Sequence, residues 1–192
     1  MIAALYVQSD GIYSKIGGVD LWDEARDARL YAGTYSIVAH PPCAAWSRYS
    51  KPHVGSKARG PLRGDDGGCF ASALGSVRKY GGVLEHPSGT SAYSQFGIPY
   101  PDSSGEWKRV NEREWVCSVD QGHYGHVARK PTWLFYVGDN TPFELIWGMS
   151  NPPPIGSGAR RGNLESLSKK KRAATPEPFA RVLIQLAEFS GS

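Results

Sequence analysis

Short apolar runs, separated by stretches rich in glycine and proline, recur along the whole chain. Runs of four to eight apolar residues with branched or aromatic side chains predict buried strands, whereas a spacing of three to four residues predicts an amphipathic helix. Strands are predicted at residues 2–7, 19–22, 35–39, 83–84, 115–119 and 132–137. Helices are predicted at residues 23–31, from Asp65 or Asp66 to residue 80, and after Thr175, which is expected to be an N-cap.

The predicted strands and helices alternate, which is typical of an α/β fold. A chain of 192 residues is long enough for one such domain and too short for two of full size. We therefore predict a single domain over residues 1–192, with a Rossmann-like, mostly parallel sheet and helices on both faces. Irregular insertions are expected near residues 48–68, 88–114 and 139–174, where periodicity is weak.

The basic residues are clustered, although the formal net charge is only +4. One acid-free segment carries Arg48, Lys51, Lys57, Arg59 and Arg63, and a second cluster comprises Arg160, Arg161, Lys169, Lys170, Lys171 and Arg172. Such patches suit a polyanion such as nucleic acid. Solvated basic loops without a ligand are the alternative interpretation.

The cysteines at positions 43, 69 and 117 are odd in number and show no close pairing pattern, which argues against a disulfide scaffold. The chain shows neither a signal-type segment near its start nor an apolar window of the roughly 20 residues that a membrane span needs. A reducing cytoplasm and no membrane partner are therefore expected.

Cys43 follows directly on a predicted buried strand. The sequence His40-Pro41-Pro42-Cys43 ends that strand, because proline cannot donate a ladder hydrogen bond. Cys43 is then expected on the loop beyond the carboxyl end of the strand, where ligands bind in open α/β sheets. A thiol on that loop suits a nucleophile, whereas a buried and inert thiol is the alternative.

Two further strand ends carry reactive side chains. Glu85-His86-Pro87 repeats the pattern of a short apolar strand followed by reactive groups and a proline. Four side chains precede the strand predicted at residues 132–137: His123, His126, Arg129 and Lys130. Ordinary structural roles, such as helix capping by Glu85 or backbone hydrogen bonding by the histidines, are the alternative.

These motifs, in this order, resemble those of the DNA cytosine-5 methyltransferases. In that family a Pro-Cys motif after a strand carries the nucleophile, an acidic motif follows the next strand, and a Tyr-Gly segment leads to an Arg-containing motif before another strand. The corresponding segments here are HPPC at 40–43, LEHP at 84–87 and DQGHYGHVARKPTWLFYVG at 120–138. The resemblance implies a minimal, methyltransferase-like domain of the kind that phages encode, acting in the cytoplasm of a bacterial or phage-infected cell.

The resemblance also implies roles for individual residues. Cys43 would add to C6 of a pyrimidine, which makes C5 nucleophilic, and Glu85 would hold or deliver the proton at N3. Arg129 would bind phosphate or base, and the thiolate needs a nearby positive charge from Arg129, Lys130 or a protonated histidine. The expected partner is nucleic acid, DNA above all, with the base out of its stack. Contacts to it are expected from His40, Pro42, Trp46, His86, His126 and Lys130, with Trp46 stacking on a base.

The family binds S-adenosylmethionine after its first strand, in a Phe-x-Gly-x-Gly-Gly loop. Residues 7–13 of this chain read VQSDGIY instead, so the candidates for cofactor binding are Gly11 and Asp20, the acid in the second strand. The family also carries a large target-recognition domain, and only residues 139–174 are available for one here.

Two other functions are compatible with the same residues. His40, Cys43, His123 and His126 contain the ligand types of a four-coordinate zinc site, which makes a zinc-binding enzyme or module one alternative. The other alternative is a non-catalytic nucleic-acid-binding phage protein on a methyltransferase-like scaffold. That protein would bind DNA in a salt-sensitive manner without modifying it.

Overall fold

The computed structural model describes residues 1–57, 60–152 and 169–191, and the side chains of Lys169 and Lys170 are not described. The described part of the chain contains one seven-stranded sheet. Its strands are β1 (Ile2–Leu5), β2 (Val19–Trp22), β3 (Ile37–Ala39), β4 (Gly82–Pro87), β5 (Lys108–Arg109), β6 (Glu114–Asp120) and β7 (Pro131–Val137). Their order across the sheet is β2-β1-β3-β4-β7-β6-β5.

The sheet is mixed, so the prediction of a mostly parallel sheet is wrong. β2, β1, β3 and β4 are parallel, whereas β4–β7, β7–β6 and β6–β5 are antiparallel and include the longest ladders. The reason lies in the connection between β6 and β7, residues 121–130. A parallel crossover needs a dozen or more residues, so this short segment returns the chain antiparallel beside β6.

Helices cover both faces of the sheet, as the sequence predicts. The described helices are α1 (Cys69–Tyr80), α2 (Ala92–Gln95), α3 (Lys169–Ala173) and α4 (Glu177–Ser190). Phe70 and Val77 of α1 pack on the face that carries Leu5 and Leu84. On the opposite face α4 packs its apolar side chains, Phe179 among them, against the remaining alternate strand residues. Burial of this alternating pattern on two faces is the main stabilising contribution in such a fold.

The helix boundaries differ from the predictions in three places. Residues 23–31 form no α-helix and contain only a 3₁₀ turn at Ala28–Leu30. Asp27 precedes this turn with a positive φ of 51°, which a continuous helix does not tolerate, and its carboxylate accepts the Arg29 backbone N–H. At α4 the N-cap is Pro176, one residue after the predicted Thr175. The N-cap of α1 is Gly68 instead of Asp65 or Asp66, but the Asp66 carboxylate accepts the backbone N–H groups of Gly68 and Phe70 at the start of that helix.

The predicted insertions contain some regular structure. Residues 88–114 include α2 and β5, and an isolated bridge joins Lys51 to Leu62 within residues 48–68. Of residues 139–174, residues 153–168 lie outside the described part of the chain, among them Arg160 and Arg161, and Arg59 lies outside it as well. None of the helices that the structure describes has the length and apolar character that crossing a membrane requires.

The strand order creates a crevice at the carboxyl end of the parallel half. β1 lies between β2 and β3, so the chain leaves β1 towards one side of the sheet and later returns to its other side. Adjacent loops diverge at such a switch point, and open α/β sheets bind ligands there. The loops after β1, β2 and β3 all lie at this edge, around the crevice.

Candidate active site

The loop that carries Cys43 leaves β3 as the sequence predicts. The backbone N–H of His40 still donates to the Leu5 carbonyl at 3.0 Å, but Pro41 and Pro42 end the ladder. Cys43 then precedes a 3₁₀ turn at Ala44–Trp46 and is solvent-exposed. The residue is therefore exposed at the crevice edge of the sheet, while its surroundings partly desolvate the thiol group.

Glu85 lies close to this loop and is almost completely buried, with 8% of its surface exposed. It points to the face of the sheet that α4 covers, because its neighbours Leu84 and His86 point to the α1 face. Both of its carboxylate oxygens are engaged. Oε2 lies 3.0 Å from Nδ1 of His40, and Oε1 accepts a hydrogen bond of 3.1 Å from the side-chain amide of Gln121.

The hydrogen bonds continue on both sides of this carboxylate. Nε2 of His40 lies 2.7 Å from the hydroxyl of Tyr13, a buried residue in the turn between β1 and β2. The Gln121 amide also donates to the Thr132 hydroxyl at 3.0 Å. We call these five residues, Tyr13, His40, Glu85, Gln121 and Thr132, the Glu85 network. Tyr13, Gln121 and Thr132 were not identified as site residues from the sequence.

The network holds Glu85 in the ionised form. Burial opposes its ionisation, but the hydrogen bond from His40 and the positive charges of His40 and Lys130 prevail and lower the pKa of Glu85 to about 2. Burial and the charge of Glu85 raise the pKa of Tyr13 well above its ordinary value, so its hydroxyl keeps its proton while it is hydrogen-bonded to Nε2 of His40. His40 donates Nδ1–H to Glu85, whereas the side-chain oxygen of Gln121 has no hydrogen-bond partner among the described residues.

Cys43, Glu85 and Lys130 influence one another's ionisation. Burial of the thiol and the negative charge of Glu85 raise the pKa of Cys43, while Lys130 opposes this. Burial lowers the pKa of Lys130, and the charges of Glu85 and Cys43 oppose that change. The positive charge expected near the thiol is thus present, but it does not outweigh the other effects, and Cys43 is protonated at neutral pH in this structure.

Lys130 is held in place by its surroundings. Its ammonium group donates to the carbonyls of Ala173 at 3.2 Å and Ala174 at 3.1 Å, between α3 and α4. Its backbone N–H donates to the carboxylate of Asp120 at 2.8 Å. Because an ammonium has three N–H groups, two carbonyl contacts leave the third for a ligand.

Other predicted site residues have different surroundings. Arg129 donates from its guanidinium to the sulfur of Met149, and this contact directs it to the loop after β7. His126 is buried, and its Nδ1 lies 3.1 Å from the Ala128 backbone nitrogen, whose N–H it can accept. Neither residue joins the Glu85 network.

Two predicted substrate contacts are buried on the α1 face. Trp46 is only 4% exposed, donates its indole N–H to Asp66 and packs against Phe70, so its ring is not available for stacking on a base in this structure. His86 packs edge-on against the ring of Phe70 at 5.2 Å between centroids, and burial lowers its pKa to about 4. Neither His86 ring nitrogen makes a hydrogen bond of good geometry among the described residues, and the Pro42 backbone only partly opposes the lowering of the His86 pKa.

The four residues of the proposed zinc site do not come together. Across residues 1–57, 60–152 and 169–191, no group of three or more His, Cys, Asp or Glu side chains is placed to hold a metal ion. His40 is engaged by Tyr13 and Glu85 instead, while Nε2 of His123 lies 3.2 Å from the Gly148 carbonyl.

A cavity of about 1130 Å³ occupies the crevice at the ends of β1 and β2. Its wall includes Pro42, the neighbour of Cys43. Tyr6 begins the loop after β1 with a positive φ of 61°, a strained conformation for a residue with a side chain. The charged residues of the wall are mostly acidic: Asp10, Asp23, Glu24, Asp27 and Arg29.

The two predicted cofactor residues do not line this cavity. Gly11 precedes the 3₁₀ turn that carries Tyr13, and Asp20 is bound by Arg26 at 2.7 Å and by the indole N–H of Trp22 at 2.8 Å. Of the acids that do reach the cavity, Asp10 lies in the loop after β1, and Asp23, Glu24 and Asp27 follow β2, which continues to Trp22.

Comparison with known proteins adds no family to this description: the chain matches no protein-family model, and no curated protein matches it.

Proposed function

We propose that this protein is an enzyme that modifies a pyrimidine base in nucleic acid, with Cys43 as the nucleophile. The observation that carries the proposal is the thiol of the exposed residue Cys43 beside a buried, oriented carboxylate and the Lys130 ammonium group. Nucleophilic catalysis by a thiol requires access to the substrate together with a charged group that controls ionisation. The parallel half of the sheet supports a Rossmann-like, methyltransferase-like scaffold, because it has a switch point at the same edge.

The proposed reaction begins with addition of Cys43 to C6 of the base. The new S–C6 bond breaks the C5–C6 π bond, and the electron pair makes C5 nucleophilic towards an electrophile. After C5 has taken the electrophile and lost its own proton, the thiolate leaves C6 and the double bond returns. Glu85 contacts the ring at N3 throughout. A ligand that donates a hydrogen bond to Glu85 and screens its negative charge also weakens the effect of that charge on Cys43, which is to raise the pKa of the thiol.

S-adenosylmethionine is the cofactor that this proposal assigns to the cavity. The cavity suits it in volume, in its position beside Pro42, and in its acidic wall, since this cofactor carries a sulfonium and an ammonium group. Asp23 and Glu24 would hold its hydroxyl and cationic groups by accepting hydrogen bonds. When bound, the cofactor supplies an electrophilic methyl group.

Nucleic acid, with DNA as the first choice, is the proposed partner. Arg48, Lys51 and Arg63 lie on the segment that follows Cys43, and the guanidinium of Arg48 lies 4.9 Å from the ring centroid of Tyr49, which is 65% exposed. A cation next to an exposed aromatic ring suits the phosphate and base of a single strand. The three cysteines are free, which fits the proposed location in the cytoplasm of a bacterial or phage-infected cell.

The test is a covalent trap. Single-stranded DNA with one 5-fluorocytosine or one 5-fluorouracil is incubated with the protein, with and without S-adenosylmethionine, and the adduct is measured by intact-mass spectrometry. The native protein should form an adduct that maps to Cys43. Cys43→Ala should form none, whereas Cys117→Ala, which changes a buried cysteine in the core, should still react. Absence of a Cys43 adduct with both bases would overturn the proposal.

A further inference from the structure

The Glu85 network determines which hydrogen bonds the site offers to a base. Glu85 is ionised, and His40 and Gln121 each donate to one of its oxygens. An ionised carboxylate has about four lone-pair positions and no proton to give. Its remaining positions can therefore only accept hydrogen bonds from a ligand.

The hydrogen-bond donors of Glu85 leave it ionised at neutral pH. With a pKa of about 2, the carboxylate stays unprotonated while His40 and Gln121 donate to its two oxygens. Gln121 does not titrate. The five residues thus orient Glu85 and keep it an acceptor.

The two common classes of pyrimidine differ at the ring atom that Glu85 is proposed to contact. N3 of cytosine is an acceptor, so it repels the carboxylate unless a proton is taken up between them. N3 of uracil and of 5-substituted uracils carries a hydrogen and pairs with a carboxylate directly. An unpaired buried acceptor is costly, which makes this difference a basis for selection.

Lys130 adds a second distinction. When a thiol adds to C6 of a 2,4-dioxopyrimidine, the electron pair of the C5–C6 π bond moves to O4 and forms an enolate. The proton that the thiol gives up then goes to C5, and the addition is balanced without another reactant. The Lys130 ammonium group is held by the carbonyls of Ala173 and Ala174, and its third N–H would stabilise that enolate oxygen. Cytosine has an amino group at the same position and offers no such oxygen.

From these contacts we infer that the site selects a 2,4-dioxopyrimidine, uracil or a 5-substituted uracil, over cytosine. The inference rests on the proposed function, because it takes Cys43 as the nucleophile and Glu85 as the N3 contact. Gln121 and His40 act in it as positioning residues.

The test compares the rates of the Cys43 adduct with two single-stranded oligonucleotides that differ only in carrying 5-fluorouracil or 5-fluorocytosine. The ratio of rates is divided by the ratio that glutathione gives with the same oligonucleotides, which removes the intrinsic difference between the bases. We expect a corrected preference for 5-fluorouracil of about tenfold or more. Glu85→Gln is the matched variant, because an amide can turn either a donor or an acceptor to N3, and its preference should fall towards that of glutathione.

Each result of this comparison either supports or overturns the inferred selection for uracil. A corrected ratio near one, or a preference for 5-fluorocytosine, would overturn the inference and leave the proposed function standing. An unchanged preference in Glu85→Gln would also overturn it, since the selection would then come from another group. Absence of both adducts would overturn the proposed function, and the inference with it.

Discussion

Nδ1 of His40 and Oε2 of Glu85 lie 3.0 Å apart, with only 13% and 10% of the two side chains exposed. The contact joins the loop after β3 to the interior of β4 across 45 residues of sequence. It places a buried negative charge beside the only exposed cysteine of the described chain. Removing one partner of such a pair leaves the other buried and unpaired, so the pair dominates the response of the protein to pH and to substitution.

Glu85 should stabilise the fold in a pH-dependent manner. Its pKa in the folded protein is about 2, below its ordinary value of 4.5, so its contribution is complete above pH 4.5 and is lost as the pH falls towards 2. Glu85→Gln should lower the free energy of unfolding at pH 7 by about 2–3 kcal/mol, with a smaller difference at pH 3. Urea unfolding at both pH values measures this. Glu112→Gln, at an exposed position, is the control and should change little.

His86 should act in a higher pH range. Its folded pKa of about 4 lies below the ordinary 6.5, so the unfolded chain binds the proton more tightly, and stability is lost as the pH falls from 6.5 to 4. His86→Leu should remove this loss and be the more stable protein at pH 4.5, because leucine suits the contact with Phe70. Thermal unfolding at pH 7.5 and 4.5 measures the difference. Equal pH dependence in both proteins would contradict the assignment.

Two buried tyrosines, Tyr13 and Tyr93, should respond differently to loss of the hydroxyl. Tyr13→Phe leaves Nε2 of His40 without its partner and should destabilise the protein by about 1–2 kcal/mol. The hydroxyl of Tyr93 has no hydrogen-bond partner among the described residues, and Tyr93→Phe should be neutral or stabilising. The midpoints of denaturant unfolding distinguish the two. An equal loss in both variants would mean that the His40 contact contributes nothing.

The rate at which Cys43 reacts with an alkylating reagent should depend on the charge of Glu85, even in the absence of a substrate. Burial and Glu85 raise the pKa of the thiol, and Lys130 lowers it. Glu85→Gln should therefore speed alkylation of Cys43 by iodoacetamide at pH 8 by several-fold, whereas Lys130→Gln should slow it. Peptide mass spectrometry measures both rates. Cys69 is an internal reference, since the charges that act on its thiol come from Asp66, Arg29 and Asp27.

Two glycines should differ sharply when replaced by alanine. A Cβ on Gly82 would overlap the backbone of Ile37, and the φ of +118° is unfavourable for any side chain, so Gly82→Ala should cost about 3 kcal/mol or more. Gly75, in α1, has no atom within 4 Å of such a Cβ, and Gly75→Ala should stabilise by about 0.5–1 kcal/mol. Unfolding in urea gives both values.

Local sequence signals predicted those features that depend on local structure. The β-branched run before His40, the two prolines and the capping Asp66 each act within a few residues, and the structure has β3, the Cys43 loop and α1 where these signals place them. The prediction of a helix at residues 23–31 was wrong. The acids and alanines of this segment suit a helix, but they do not reveal that Asp27 has a positive φ, which interrupts one. The antiparallel return of β7 depends on the length of a loop rather than on periodicity.

Contacts across long sequence separations were not predictable in this way. Tyr13 is 27 residues from His40, and Gln121 is 36 residues from Glu85. A glutamine directly after an apolar strand, as Gln121 is after β6, was the available signal for one of them. Nothing in the sequence near Tyr13 distinguishes it from an ordinary core tyrosine. It contacts His40 only because the loop after β3 packs against it in the folded protein.

The antiparallel half of the sheet also determines when the site can form. Gln121 and Lys130 flank the loop between β6 and β7, and they reach Glu85 only once β7 has paired with β4. Contacts so distant in sequence carry a large loop-closure entropy and form late in folding. A nascent or partly folded chain would therefore expose Cys43 without an oriented carboxylate beside it. Assembly of the sheet and orientation of the Glu85 carboxylate beside the Cys43 loop are in this protein one event.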